Sequence, residues 1–213
     1  MAAKASRKRA RRPEAAAAPS ADLSARIVDT TLELVAGRGW RHVSLADIAS
    51  AAGLSLAELY SRFPSKTAIV AAFIARIDEQ SLAGRTEMTG TVRDRLFDLI
   101  MRRLDALAPH KAAVKSMVQA GPAEALAALC LAPRVLNSMR WLAEAAGVGT
   151  SGLLGMLRVK SIAAIYAATL RTWLQDEGAD NGKTMAFLDR ALRRAEMLAR
   201  SVPGAERPSA AAD

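Results

Sequence analysis

Hydroxyl and cationic side chains that can bind phosphate lie close together between residues 44 and 66. Ser44 and Ser65 each precede a segment with helical apolar spacing. We therefore expect them at helix N-termini, where free N–H groups and the helix dipole attract anions. Tyr60 can offer its hydroxyl to a phosphate oxygen, and Lys66 adds a positive charge in the first turn of the next helix. The structural alternatives are a capping serine, a half-buried tyrosine and a solvated lysine.

Two short helices are predicted to position these side chains. The first follows Ser44, has apolar residues at i, i+3 and i+4, and ends at Gly53, because glycine tolerates the positive φ common just past a helix end. Ser55 caps the second, LAELYSRF, which ends at Pro64. Such a pair fits a helix-turn-helix, whose second helix can lie in the DNA major groove. The turn alone also fits two packed helices of any α-helical domain.

The residues around this pair resemble the N-terminal domain of the TetR family of transcriptional regulators. The matching segments are 36–40 (AGRGW), 44–49 (SLADIA), 52–55 (AGLS) and 59–66 (LYSRFPSK). The resemblance implies an all-α fold, with a three-helix helix-turn-helix domain and a larger helical domain for effector binding and dimerisation. It also implies that Tyr60 and Lys66 touch phosphates. The predicted DNA-binding side chains of this domain are Ser44, Ser55, Leu56, Glu58, Tyr60, Arg62, Ser65 and Lys66.

The second helix departs from the family pattern in one respect. It reads Leu56-Ala57-Glu58 where the family usually has a small or basic residue. A carboxylate in the groove is repelled by phosphates, although it can accept a hydrogen bond from cytosine N4. Residues 21–80 hold 6 Lys and Arg against 7 Asp and Glu, whereas a DNA-reading domain normally presents a basic surface. The near-neutral charge therefore argues against DNA binding by this domain alone.

The missing positive charge lies upstream, in residues 1–20. This segment has 6 Lys and Arg and one acid, Glu14. It shows no apolar periodicity and is expected to be a disordered arm that follows a DNA groove, as homeodomain arms do. A solubilising tail and a cleavable transit sequence are the alternatives. The arm residues predicted to contact DNA are Arg7, Lys8, Arg9, Arg11 and Arg12.

Composition and motifs exclude several classes of protein. The chain has no CxxC, HExxH, GxSxG or P-loop pattern, and its two histidines have no metal ligand at i+3 or i+4. We therefore expect no catalytic residues, no metal and no cofactor. Cys130 is a single cysteine, expected to be an inert core thiol. No apolar run of about 20 residues is free of charge and proline, so a cytoplasmic protein without a membrane span is expected.

The remainder of the chain reads as one helix after another. Glycine and proline breaks predict helices over 66–83, 90–107, 109–120, 122–131, 133–146, 151–176 and 183–200. The predicted organisation is a basic arm over 1–20, a helix-turn-helix domain over 21–82, a helical effector-binding and dimerisation domain over 83–201, and a disordered tail over 202–213.

The last two predicted helices have features of a subunit interface. Segment 153–177 is apolar on more than one face, so one domain alone is not expected to cover it. In TetR-like proteins the two final helices form a four-helix bundle across a twofold axis, and the resemblance implies the same homodimer here. The alternative is a helical hairpin buried within one subunit.

The C-terminal part also resembles a second group, the lipid-binding accessory proteins of ubiquinone biosynthesis. The similar segments are 163–170, 173–177 and 185–190, about 40 residues overall. These proteins share the TetR fold and bind isoprenoid lipids instead of DNA. Two functions are therefore in competition: a homodimeric DNA-binding regulator, expected to be a repressor on a palindromic operator, and a lipid-binding accessory protein.

A small apolar effector, such as an isoprenoid or acyl molecule, is expected to release the regulator from DNA. Methionine and aromatic side chains between residues 90 and 175 suit an irregular apolar cavity, although such a stripe also fits a solid core. The predicted pocket residues are Met101, Met117, Leu126, Leu129, Met139, Trp141, Leu142, Met156, Tyr166 and Trp173.

Overall fold

The computed structural model describes residues 18–83, 90–120 and 125–201, with side chains for 22–83, 90–120 and 131–201. Helices account for nearly all of these ranges, and no strand occurs within them. The helices are α1 (Ala18–Arg38), α2 (Leu45–Ala52), α3 (Leu56–Arg62), α4 (Lys66–Leu82), α5 (Val92–Leu107), α6 (Lys111–Val118), α7 (Ala125–Ala145), α8 (Gly152–Gln175) and α9 (Gly182–Arg200). Short 3₁₀ helices occupy Trp40–His42 and Ala108–His110. The predicted all-α fold is confirmed.

The first three helices form the head of the molecule. α1 packs on α2, α4 and α6, and its buried face includes Ile27 and Val35. Ile48 of α2 and Leu59 of α3 point into the same core. α1 begins at Ala18, so the last three residues of the range predicted as an arm are helical. Residues 1–17 lie outside the described part of the chain.

The remaining helices form the body, and α4 connects the two parts, with its first turn in the head and the rest in the body. α4 packs against α5 and α7, α7 packs against α8, and α8 packs against α9. Leu99, Ile100 and Leu104 of α5 are fully buried at the centre. The predicted boundaries of α4, α5, α8 and α9 agree with the structure within two residues.

The prediction of two helices over 122–131 and 133–146 is wrong. α7 is one helix with Pro133 inside it. Proline removes one backbone donor and crowds the preceding turn, at a cost of about 3 kcal/mol. Buried side chains beyond the proline, among them Met139, Leu142 and Ala143, offset that cost by packing on the neighbouring helices.

α8 is long and apolar enough, by length and composition alone, to cross a membrane. The mean hydropathy of its most apolar 18-residue stretch is 1.4, and 28% of that stretch is buried. The sequence criterion missed it because Arg158 and Lys160 interrupt the run. α8 also packs along both α7 and α9, and core helices of helical domains have the same composition. The feature is weak evidence for a membrane span.

Candidate nucleic-acid interface

The first helix of the turn begins in a closed cap. The Ser44 hydroxyl accepts a hydrogen bond from the Asp47 N–H at 3.1 Å, and the Asp47 carboxylate accepts one from the Ser44 N–H at 2.8 Å. The Ser44 side chain also donates to this carboxylate and lowers the pKa of Asp47. Gly53 ends the helix in the left-handed region, at φ 69°, as the sequence predicted.

The second helix begins in the same way. The Ser55 N–H and hydroxyl donate to the Glu58 carboxylate at 2.8 and 2.7 Å, and the Glu58 N–H donates to the Ser55 oxygen at 3.2 Å. The hydrogen bond from the Ser55 hydroxyl is the main reason that the pKa of Glu58 is lowered. Leu59, which is 1% exposed, holds the helix on the core. The carboxylate of Glu58 therefore folds back onto its own helix end.

These two capping boxes change the predicted roles of Ser44 and Ser55. Each hydroxyl already makes two intramolecular hydrogen bonds, and a carboxylate occupies the N-terminus of each helix. At Ser44 a phosphate was expected in that position. α4 is different, since Ser65 accepts a hydrogen bond from the Ala68 N–H at 3.1 Å and its first turn contains no acidic residue. The N-terminus of α4 therefore remains open to an anion.

Lys66 has a structural role that sequence reasoning missed. Its ammonium donates to the carbonyl oxygens of Trp40 and Val43, both at 2.8 Å, and lies 4.1 Å from the centre of the Trp40 ring. These contacts tie the start of α4 to the segment before α2, and so fix the spacing of the helices in the head. The ammonium is directed at the protein and not at solvent, and a phosphate contact by Lys66 stays a prediction.

The rest of the predicted set lies on the outside of α3. Tyr60 is 70% exposed and Leu56 is 56% exposed. Arg62, in the last turn of the helix, is exposed as well. The structure therefore brings the predicted DNA-binding residues of the head onto neighbouring elements, α2, α3 and the start of α4. The predicted arm contacts Arg7, Lys8, Arg9, Arg11 and Arg12 lie outside the described residues.

Side chains from four body helices meet in a buried polar cluster that the sequence did not reveal. Arg103 of α5, which is 2% exposed, donates to Asp78 of α4 and to the hydroxyl of Tyr166 on α8, the latter at 3.1 Å. Ser138 of α7 donates to the other Asp78 oxygen at 2.7 Å. Asp78 thus joins α4 to the centre of the body. No local spacing signal exists for this cluster because its hydrogen-bonded partners are 25 to 63 residues apart.

The head also contacts the body directly. The Trp40 N–H donates to the Ser116 hydroxyl of α6 at 2.8 Å. Within the body, Phe73 of α4 meets the His110 ring edge to face, with centroids 5.3 Å apart. Burial lowers the pKa of His110, and the nearby charge of Arg76 lowers it further.

Among the described side chains, the predicted effector residues are not gathered around one cavity. Met139, Leu142, Tyr166 and Trp173 are packed in the core, whereas Trp141 (55%) and Met156 (40%) are exposed. Met101 and Met117 are half-buried against the core, and the side chains of Leu126 and Leu129 lie outside the described part. Helical periodicity cannot distinguish a filled core from a lined pocket, and here four of the residues fill a core.

Two open surface clefts are present among the described residues. The larger, of about 420 Å³, lies between α5 and α9 and is lined by Arg93, Phe97, Asp98, Met185, Asp189 and neighbouring residues. The smaller, of about 300 Å³, lies beside α1 and α2. Neither cleft includes a predicted effector residue. In the described ranges, no three His, Cys, Asp or Glu side chains are grouped as a metal site requires.

Comparisons with protein families match the two ends of the chain separately. The family described as "Bacterial regulatory proteins, tetR family" matches residues 27–73, which run from α1 into α4. A second family, described as COQ9, matches residues 159–199, in α8 and α9. No curated protein sequence matches the chain.

Many solved structures share the fold. A TetR transcriptional regulator from Nitrosomonas europaea is 27% identical, with a TM-score of 0.68 over 83% of this chain and 99% of that chain. A TetR transcriptional regulator from Rhodococcus sp. RHA1 is 18% identical, with a TM-score of 0.61 over 83% and 96%. The regulator FadR from Bacillus subtilis, solved with stearoyl-CoA, is 19% identical, with a TM-score of 0.50 over 79% and 95%.

These matches agree with the geometry of the head. α2 and α3 form the predicted helix-turn-helix, and α4 connects it to a larger helical domain, as in the similar structures. The chain carries an N-terminal domain of the bacterial tetR family of regulatory proteins and has the fold of TetR transcriptional regulators.

Proposed function

We propose that the protein is a transcriptional regulator that binds duplex DNA through α3. The observation that supports this most is the outward face of α3, held over buried Leu59 beside the open N-terminus of α4. A helix presented in this way can enter the major groove, while the neighbouring helix end binds the phosphate backbone. Tyr60 and Ser65 then position the head on the duplex.

A homodimer is the proposed binding form. Large apolar side chains are exposed on the two final helices: Leu153, Leu154, Met156, Leu157, Met185, Met197 and Leu198. Exposed apolar surface of this kind marks an interaction site, and a second copy packed on α8 and α9 would cover it. Two heads related by a twofold axis read a palindromic site whose halves lie about one helical turn, or a small multiple, apart.

The basic arm supplies the electrostatic part of the proposed binding. Residues 1–20 carry a net charge of +5, from six basic residues and one acid, next to a near-neutral head. Each phosphate that the protein neutralises adds about 0.9 to the steepness of log K against log salt. Deletion of the arm is therefore expected to weaken binding to all sequences and to flatten its salt dependence.

Release by a small apolar effector, and hence a repressor, completes the proposal. Such a ligand shifts the dimer from its DNA-binding form only by as much as its affinities for the two forms differ. The expected readout is a lower DNA affinity in the presence of apolar compounds. A cytoplasmic location is consistent with this role.

Footprinting on DNA next to the protein's own gene, combined with sedimentation of the complex, tests the central proposal. Two protected half-sites and two chains per site are expected. Tyr60→Ala should weaken binding with little change in sequence preference, whereas Gln80→Ala, an exposed change at the far end of α4, should bind normally. A monomer at micromolar concentration, or protection of one unpaired half-site, contradicts the proposal.

A lipid-binding accessory protein is the second candidate. The COQ9 match covers residues 159–199, which include most of α8, and 28% of the most apolar 18-residue stretch of this helix is buried. The near-neutral head also fits a protein that does not bind DNA. Native mass spectrometry of protein purified from cells distinguishes the two: a bound isoprenoid lipid together with no gel-shift on any DNA supports the lipid protein.

A further inference from the structure

The burial of Leu59 determines which side chains of α3 face outward, where the proposed DNA would lie. Leu59 is buried in the core. At about 100° per residue, Ala57 and Ser61 lie nearly opposite Leu59, and Glu58 and Tyr60 lie on either flank. Leu56 lies only about 60° from Leu59 around the helix axis. It is nevertheless 56% exposed, because it is the first residue of α3, and the N-terminal residues of a recognition helix contact base edges. The surface available to base edges therefore consists of Leu56, Ala57 and Ser61, with Glu58 and Tyr60 beside them.

Glu58 beside this face and Ser61 on it are already hydrogen-bonded within the helix and its cap. The Glu58 carboxylate accepts from the N–H and hydroxyl of Ser55. The Ser61 hydroxyl donates to the Glu58 carbonyl oxygen at 2.8 Å. Both hydrogen bonds to Glu58 end on one carboxylate oxygen, Oε2, and turning the side chain away from the helix end toward a base would break both. The side chains that remain available at the start of this face, Leu56 and Ala57, are apolar.

Thymine is the base that presents an apolar group in the major groove. Its C5 methyl contacts apolar side chains, whereas guanine, adenine and cytosine present hydrogen-bonding groups there. We propose that Leu56 and Ala57 read thymine methyl groups, so that each operator half-site contains thymine at the positions facing them. This inference rests on the proposed DNA binding, and it names the base that the helix selects.

Replacement of thymine by deoxyuridine is the direct test, because it deletes only the methyl group. High-affinity sites are first selected from a randomised duplex pool, using the full chain. Each selected thymine is then replaced by deoxyuridine, one position at a time in both half-sites. Burial of one methyl-sized group corresponds to about fourfold in affinity. We expect about that loss for each contacted thymine, and no change at thymines outside the contacted positions.

Matched variants assign the effect to the side chains. Leu56→Ala removes the larger apolar group from an exposed position, so it should preserve the fold and abolish most of the discrimination between thymine and uracil. Gln80→Ala should retain full discrimination. Circular dichroism and the unfolding midpoint of Leu56→Ala verify that the head is intact.

Three results overturn the inference. One is equal binding of thymine and uracil sites by the unaltered protein. A second is selection of cytosine in place of thymine at the contacted positions, together with loss of that preference in Glu58→Gln, which would assign the readout to the carboxylate. Failure to bind any member of the pool contradicts the proposed function, and this inference falls with it. Binding without methyl dependence contradicts the inference alone.

Discussion

The head and the body use polar side chains in opposite ways. In the head, Ser44 bonds to Asp47 and Ser55 to Glu58, so each partner is three residues away and exposed to solvent. In the body, Arg103 joins Asp78 and Tyr166, which are 25 and 63 residues away, and all three are buried. The short helices of the head are therefore capped locally, with Lys66 as a longer-range contact between them, whereas the polar cluster of the body joins distant segments.

This difference separates binding surface from framework. Because a surface cap and buried Leu59 hold α3, residues on its outer face can be substituted without unfolding the domain. The buried cluster connects α4, which begins in the head, to α5, α7 and α8. A change there is expected to affect the whole molecule, because a buried charge without its partner is strongly unfavourable.

Asp78→Ala should have the largest effect. The substitution leaves the Arg103 guanidinium buried without its carboxylate and removes one of the two acceptors of the Ser138 hydroxyl. We expect the free energy of unfolding to fall by about 3–5 kcal/mol, measured by urea denaturation. Asp29→Ala is the matched control, because it breaks the half-exposed pair with Arg76 and should cost about 1 kcal/mol or less. Equal losses would show that the buried cluster contributes no more stability than a half-exposed ion pair.

Lys66→Met should have an intermediate effect, and it distinguishes two roles of this residue. Methionine keeps most of the apolar stem but removes the hydrogen bonds to Trp40 and Val43, which should cost about 2 kcal/mol of stability. If the role is structural, the free energy of unfolding falls and the slope of log K for DNA binding against log salt stays the same. A direct phosphate contact would instead reduce that slope by about 0.9. Lys115→Met, on the exposed side of α6, is the control.

The head could be predicted from the sequence more fully than the body, because its helix ends depend on local residues. Ser44, Gly53, Ser55 and Pro64 act within one turn of themselves, so their types and spacing predicted the helices of the head. The capping boxes were also visible in principle, since Ser is followed by Asp or Glu three residues later. That pattern explains Glu58 as a cap, whereas the family resemblance alone made it look like a groove contact.

The body was less predictable because its features depend on packing between distant segments. Pro133 has the local signature of a helix end, yet α7 continues through it. Arg103 looks like any surface arginine of an amphipathic helix, and its burial depends on the positions of distant helices, among them α4 and α8. The methionine and aromatic residues assigned to a pocket have the same spacing in a core, and the structure places Met139 and Trp173 in the core.

Removal of one local cap should have a smaller effect than either change above. Ser44→Ala deletes the side-chain acceptor at the start of α2 and should lower the free energy of unfolding by about 1 kcal/mol. Ser50→Ala, at an exposed position within the same helix, should change it by much less. A loss comparable to that of Asp78→Ala would mean that the head is not held by many small local contacts.

The smallest effect concerns a cap in the body that resembles those of the head. Thr91 and Arg93 donate to Asp94 at 2.7 and 2.9 Å and lower the pKa of this carboxyl to about 2. Because the folded pKa lies below the ordinary value of 3.8, the stabilisation is present above about pH 4 and is lost as the pH falls toward 2. Thr91→Val should raise the pKa of Asp94 toward its ordinary value, as followed by carboxyl NMR titration, and should leave the lowered pKa of Asp47 unchanged. If the pKa of Asp94 stays near 2 in this variant, Arg93 is the main cause. If the Asp47 pKa moves as well, caps in the head and body are coupled, and the division between local and long-range contacts does not hold.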